Sequence, residues 1–330
     1  MMKYVWIGAA AAAAFLISLL IGKWLIPVLR RAKLGQQIKE IGPNWHMSKQ
    51  GTPAMGGLMF IAATILVSAV GLVAFGAEAA PILCVLFLAF TSALIGFLDD
   101  YEKLTKKRNL GLTAIQKIVL QTAITVIFIV LLEVLGLRAE TVYLPFFDVS
   151  FALPRVVYYI AAVFVIMGTI NSANLTDGID GLATGVTLPI AAFFAAAACL
   201  MGLTGLSVMS AAFFGALAGF LVYNFHPAKV FMGDTGSLFI GGMVSGLAFV
   251  LNIPLIILVV GLIYFIEALS DILQVGYFKL THGKRIFKMA PIHHHFEMCG
   301  WSEIKIFWVF TGVTVLMSAL ALWGVSGLFC

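Results

Sequence analysis

The sequence predicts an all-α polytopic membrane protein with about ten transmembrane helices. Three observations carry this. The 330-residue chain is 62% hydrophobic and 11% charged, where a soluble domain carries about 25% charged residues. Its mean hydropathy is +1.07. Its apolar residues fall in stretches of membrane length, and a soluble chain so composed would be a core with almost no surface.

The stretches run over residues 4–29, 54–75, 80–98, 113–137 and 156–170, then 182–223, 238–278 and 304–329. The first follows a single lysine and has no small-residue cleavage site, so it reads as a retained helix rather than a signal peptide. One helix over 182–223 would be ~63 Å long, twice the hydrocarbon thickness. Gly202-Leu203-Thr204-Gly205 supplies a break there. The 238–278 stretch breaks at Asn252-Ile253-Pro254, because proline cannot continue a helical ladder. The outer segment between Arg138 and Arg155 alternates apolar with polar residues and prolines, the pattern of a short hairpin. No internal repeat divides the chain, and 1–330 reads as a single integral-membrane domain.

Loops after odd-numbered spans hold Arg30, Arg31, Lys33, Lys39 and Lys49, then Lys103, Lys106, Lys107, Arg108 and Lys117, then Lys229, then Lys279, Lys284, Arg285 and Lys288. The other side has Lys3, Arg138 and Arg155. The basic side is expected to face the cytoplasm and both termini to face out. The net charge of +5 fits such loops. No basic run is interleaved with aromatics, which argues against nucleic acid. Cys84, Cys199, Cys299 and Cys330 form neither a CxxC pair nor a zinc signature and read as free thiols.

This topology gathers five aspartates on the cytoplasmic side: Asp99 and Asp100, Asp177 and Asp180, and Asp234. They are a third of the 15 acidic residues. All six histidines fall there too: His46, His226, His282, His293, His294 and His295. Asp99 and Asp100 end the third span, where the helix dipole disfavours carboxylates. Keeping both ionised requires a cation, and Lys103, Lys106 and Lys107 follow within two turns. Asn171, Asn174, Asp177 and Asp180 are spaced by three, so a helical end would put them on one face. Such oxygen-only ligands suit Mg²⁺ or Mn²⁺ rather than zinc. Gly233-Asp234-Thr235-Gly236-Ser237 leads into the eighth span, with Asp234 or Ser237 as the N-cap and room for a metal-bound phosphate. Three consecutive histidines on a helix point ~100° apart and cannot share one metal. A loop offering imidazoles to phosphates is the expectation. Glu267, Asp271 and Gln274 share one face of the ninth span and read as lining either a substrate groove or an ion path.

Together with Ala290-Pro291-Ile292-His293-His294-His295-Phe296-Glu297, these motifs resemble the polyprenyl-phosphate N-acetylhexosamine-1-phosphate transferase superfamily. Within it, the histidine motif resembles the branch that transfers phospho-N-acetylmuramoyl-pentapeptide. The likeness spans essentially the whole chain, including the ten-span plan. It implies that UDP-N-acetylmuramoyl-pentapeptide and undecaprenyl phosphate give lipid I and UMP with Mg²⁺, at the inner face of the bacterial cytoplasmic membrane, in a homodimer among membrane lipids. It implies Asp234 as the metal ligand. Asp99, with Asp100 beside it, would act on the lipid phosphate, as a base or through an aspartyl intermediate. Asp177 and His294 match further catalytic positions; Asn171, His293 and His295 match substrate-binding ones. Phe231 matches a residue that stacks on uracil, with Asn224 and Asp180 on the nucleoside, and Lys117 matches a diphosphate-contacting lysine. In Gly51-Thr52-Pro53-Ala54-Met55-Gly56-Gly57, Ala54 stands where the family has threonine. That hydroxyl is lost, while Lys49 remains to bind substrate. The rival readings are a sister transferase using UDP-N-acetylglucosamine and a cation-coupled transporter built on Glu267 and Asp271.

Overall fold

The computed structural model describes residues 2–31, 49, 51–105 and 111–329. His46, Lys33, Lys39, Lys106, Lys107, Arg108 and Cys330 lie outside the described residues. The helices are α1 (Met2–Arg31), α2 (Gly57–Ala74), α3 (Ala79–Thr105), α4 (Ala114–Val134), α5 (Arg155–Thr176), α6 (Leu182–Leu200), α7 (Thr204–Asn224), α8 (Gly233–Val250), α9 (Ile257–Val260), α10 (Leu262–Leu280), α11 (Ile292–Met298) and α12 (Glu303–Gly324). Among the described residues nine are long and apolar enough to cross a membrane, or ten units if the bent pair formed by 254–260 and α10 counts as one.

That pair is where the expected ninth span departs from a straight rod. It bends by 80° at Gly261, whose carbonyl and N–H still bond to Phe265 and Ile257 while its φ and ψ leave the helical range. The break at 202–205 is as expected. So is the hairpin, β1 (Thr141–Leu144) pairing antiparallel with β2 (Val149–Ala152).

α8 is the central helix. Its membrane-length window is 89% buried, against 22% for α1, which keeps a wide apolar flank outward. α8 packs on α3 and α5, and α1 packs on α7. The α3–α8 approach is close enough to need glycine. A Cβ on Gly96 would overlap the backbone of Asp234. This contact brings the end of α3, with Asp99 and Asp100, onto the start of α8.

Two ends result. At one, Asn252 accepts from Ala139 N at 2.7 Å and donates to Leu137 O at 3.1 Å, Glu78 accepts from Leu206 N at 3.0 Å, and Phe146 N donates to Gly324 O at 2.8 Å. The other end holds the motif aspartates.

Candidate active site

α3 does not stop at its aspartates; it runs on to Thr105, and α8 begins at Gly233 rather than after the Gly233–Ser237 motif. The expected cap of α8 is therefore replaced. Asp100, 5% exposed, accepts from Asp234 N at 3.2 Å and from Thr235 N and Oγ1 at 2.9 and 2.7 Å. A carboxylate misplaced on the dipole of its own helix is well placed on the N-terminus of the next. Ser237 bonds back to Gly233 O and takes no part in capping.

Asp99 is fully buried and accepts from Leu112 N at 2.8 Å through Oδ1. Its Oδ2 meets Lys103 Nζ at 2.6 Å and Lys117 Nζ at 3.0 Å. The same two ammonium groups meet Asp234 Oδ2 at 3.1 and 2.8 Å. Asn174 donates to Asp234 Oδ1 at 3.0 Å and to Ser237 Oγ at 2.7 Å. Carboxylate oxygens of Asp99, Asp100 and Asp234 lie within 4.8 Å of one another. Among the described residues three carboxylates thus face two ammonium groups, and Asp177 adds a fourth carboxyl group nearby. Desolvation pushes the Asp177 carboxyl well above the usual carboxylate range, and Asp234, Asp100 and Asp180 repel it in the same sense.

Asn171 and Asn174 share a face of α5, but the helix ends at Thr176 and the chain then turns, so Asp180 leaves that face. Asn171 donates to Gln121 Oε1 and to Met167 O, both at 2.8 Å. Asp180 enters a separate cluster. Its Oδ1 meets Lys49 Nζ at 2.8 Å, and its Oδ2 meets His226 Nδ1 and Ala228 N, each at 3.0 Å. Glu303 Oε2 joins through Lys49 Nζ at 2.7 Å and Asp180 N at 3.0 Å. Beside it, the 51–57 segment pairs with 231–232: Phe231 N donates to Pro53 O and Gly56 N to Phe231 O, both at 2.8 Å. The Phe231 ring stays half-buried, whereas Ala54 is buried. Asn224 is 1% exposed, with its amide spent on Thr184 Oγ1 at 3.0 Å and Val230 O at 3.1 Å. These bonds shape the loop after α7.

The histidines lie on a short helix, not a loop. They diverge, as helical spacing requires. His293 is fully buried, with Nδ1 2.9 Å from Glu267 Oε2. His294 Nδ1 lies 2.6 Å from Glu297 Oε2. His295 Nδ1 accepts from Lys288 N at 3.1 Å. Gln274 accepts from Ile286 N and Phe287 N, both at 3.0 Å. Glu267 and Gln274 thus anchor the segment before and within α11, and half-buried Asp271 makes no bond to a described residue.

Sequence reasoning missed Glu303, His226 in its pairing with Asp180, and Glu267 as the partner of His293. Only Glu303 carried a local signal, following the Ser302 N-cap of α12. An apolar cavity of about 300 Å³, lined among the described residues by Leu29, Met55, Leu58, Phe97, Tyr101 and Leu104, opens beside the end of α3.

Residues 82–252 match the family model described as Glycosyl transferase family 4. The chain is 45% identical over 315 residues to the phospho-N-acetylmuramoyl-pentapeptide-transferase of Staphylococcus carnosus (strain TM300), covering 95% of this chain and 97% of that one. The same figures hold for the protein of that name from Staphylococcus aureus (strain Newman). The matched region contains Asp99, Asp100, Asp177, Asp180 and Asp234, and the chain belongs to glycosyl transferase family 4, in its phospho-N-acetylmuramoyl-pentapeptide-transferase branch.

Proposed function

We propose that the chain, as one integral-membrane domain over 1–330, transfers phospho-N-acetylmuramoyl-pentapeptide from its UDP conjugate to undecaprenyl phosphate in peptidoglycan synthesis. An oxygen of the lipid phosphate attacks the sugar-linked phosphorus, the bond to UMP breaks, and lipid I forms. The observation that carries this reading is the Asp99–Asp234 pair bridged by Lys103 and Lys117 at one end of an apolar bundle. Phosphoryl transfer needs charge neutralisation and in-line placement more than covalent chemistry.

The donor set fits a hard divalent cation: oxygen only, closely spaced, and net negative. Asp234 would hold Mg²⁺, with the carboxylates of Asp99 and Asp100 beside it. When bound, Mg²⁺ supplies positive charge against the diphosphate. Lys103 and Lys117 now neutralise the two aspartates. Substrate phosphates compete for the same ammonium groups, which frees Asp99 Oδ2 to act on the lipid phosphate. Lys49, Asp180 and the Phe231 ring lie on the nucleotide side, where stacking on an aromatic is worth ~1–3 kcal/mol. The apolar cavity beside α3 favours a substrate with a hydrocarbon chain. The basic loops favour this end as the cytoplasmic one. The bacterial inner membrane and a homodimer complete the reading.

The test is UMP release by purified protein in nanodiscs. We expect release only when Mg²⁺, polyprenyl phosphate and the UDP-muramoyl-pentapeptide are all present. Release with UDP-N-acetylglucosamine at an equal rate would reject the assigned donor. Release without the lipid phosphate would reject transfer.

A further inference from the structure

Glu267 and His293 form a fully buried ionisable pair that the proposed transfer leaves without a task. Glu267 Oε2 faces both Nδ1 of His293 at 2.9 Å and its backbone N at 3.5 Å. Side chain and main chain are thus tied to one oxygen. With the carboxylate accepting, the ring proton sits on Nδ1. Nε2 is left buried with no hydrogen-bond partner. It lies against Gly178, in the turn between Asp177 and Asp180. A Cβ on Gly178 would overlap Nε2 and would come within 2.5 Å of Cε1. The imidazole therefore fills the space beneath that turn instead of opening toward a ligand. Its neighbour His294, with ring centroids 4.1 Å apart, keeps 13% of its side chain exposed.

We propose that Glu267 is a positioning residue, which acts through His293 on the Asp177–Asp180 turn and so sets where Asp177 stands relative to Asp234. The proposal rests on the transferase reading, because Asp177 matches a catalytic position only through the family resemblance. α10 suits the role: Gln274, seven residues beyond Glu267, grips the backbone of Ile286 and Phe287, so one helix holds the approach to α11 and the inner face of α11 itself. Moving the carboxylate then moves the imidazole, and with it the backbone it supports.

The test uses the full chain in nanodiscs. Glu267→Gln and Gly178→Ala are compared with wild type for kcat, KM of each substrate, thermal unfolding, and the imidazole nitrogen NMR signals, with His293→Gln assigning the His293 signal. In Glu267→Gln we expect a shifted His293 signal and a kcat lowered by about 10–100-fold, as for other outer-shell partners. Both KM values should stay within about 2-fold, since a turn misplaced for the transition state need not weaken ground-state binding. Gly178→Ala changes no charge and presses on the imidazole from the other side; a similar kcat loss is expected. A KM rise with kcat retained in Glu267→Gln would mean that His293 holds substrate directly, and would overturn the proposal. So would a Gly178→Ala kcat within about 2-fold of wild type. If Glu267→Gln does not fold, Gly178→Ala decides alone. If wild type releases no UMP, the transferase reading fails, and the support role is judged by the spectrum: an unchanged His293 signal in Glu267→Gln sinks it.

Discussion

The two ends of the helix bundle use polar side chains in opposite ways. At the hairpin end, Asn252 and Glu78 bind backbone groups of Ala139, Leu137 and Leu206. Those partners are fixed by the fold, and no solute replaces them. At the other end, Asp99, Asp234 and Asp180 bind lysine ammonium groups. A lysine on a flexible stem is a partner that a phosphate can take over. The difference separates polar groups that hold the fold from those held ready for chemistry. Asp100 crosses the line: it sits among the reactive aspartates but behaves like the hairpin-end residues, with its oxygens on the start of α8.

The comparison is broken most severely at Asp234. Asp234→Asn keeps the size and the contact with Asn174 but removes the charge. We expect roughly 10³-fold less UMP release, the scale of a lost electrostatic contact in a buried site, with the fold retained. Turnover like wild type at limiting Mg²⁺ would remove Asp234 from the metal site. Asp100→Ala comes next and should differ in kind. It strips hydrogen bonds from a buried carboxylate that caps a helix, so about 2 kcal/mol of stability should go. Activity should fall with it, because the start of α8 carries Asp234. A stable, inactive Asp100→Ala would place Asp100 with the chemistry after all.

Asp177 offers a test with a definite sign. Its folded-state pKa is raised, so the folded chain holds the Asp177 proton more tightly than the unfolded chain does. The resulting stability is fully present below the ordinary carboxylate value and is lost as pH rises through the folded value. Asp177→Asn has no such charge. In low divalent cation the variant should therefore unfold at the same temperature as wild type at acid pH, then gain an increasing advantage as pH rises to that value, and hold it above. Its turnover should be lower throughout. An advantage that shrinks with rising pH would mean that a cation, not repulsion, governs Asp177.

Much of this was legible in the sequence. The spans follow from hydrophobic length alone, and the convergence of five aspartates follows from span parity. The Arg138–Arg155 hairpin follows from alternation. What the sequence hid are pairings across long separations. Nothing near Asp100 shows that it caps a helix that starts more than a hundred residues later. The period of three in Asn171, Asn174, Asp177 and Asp180 suggests one face, but α5 stops at Thr176 and the turn sends Asp180 to Lys49 and Glu303. Asn224 also braces the loop after α7 through Thr184 and Val230, which its place in the sequence does not show. Gly261 gave no warning of an 80° bend, since an isolated glycine is common in membrane helices.

The smallest expected effect on activity lies at the far end, and it tests whether the contrast is real. Asn252 has a positive φ of 57°, a conformation that asparagine tolerates better than other side-chain-bearing residues. Its amide closes two bonds onto the segment between α4 and the hairpin. Asn252→Ala loses both bonds and keeps the strained backbone, so about 2 kcal/mol of stability should be lost. Turnover should nevertheless match wild type at temperatures where both are folded, because no side chain of the site touches this loop. The measurement pairs a thermal melt with kcat and KM at a temperature well below both midpoints. A fall in kcat without a change in either KM would show that the hairpin end is coupled to the aspartates through α8, which runs from Gly233 to Val250 between them. Unchanged kcat with a lowered midpoint would leave the two ends independent: one holding the helices, the other working on phosphate.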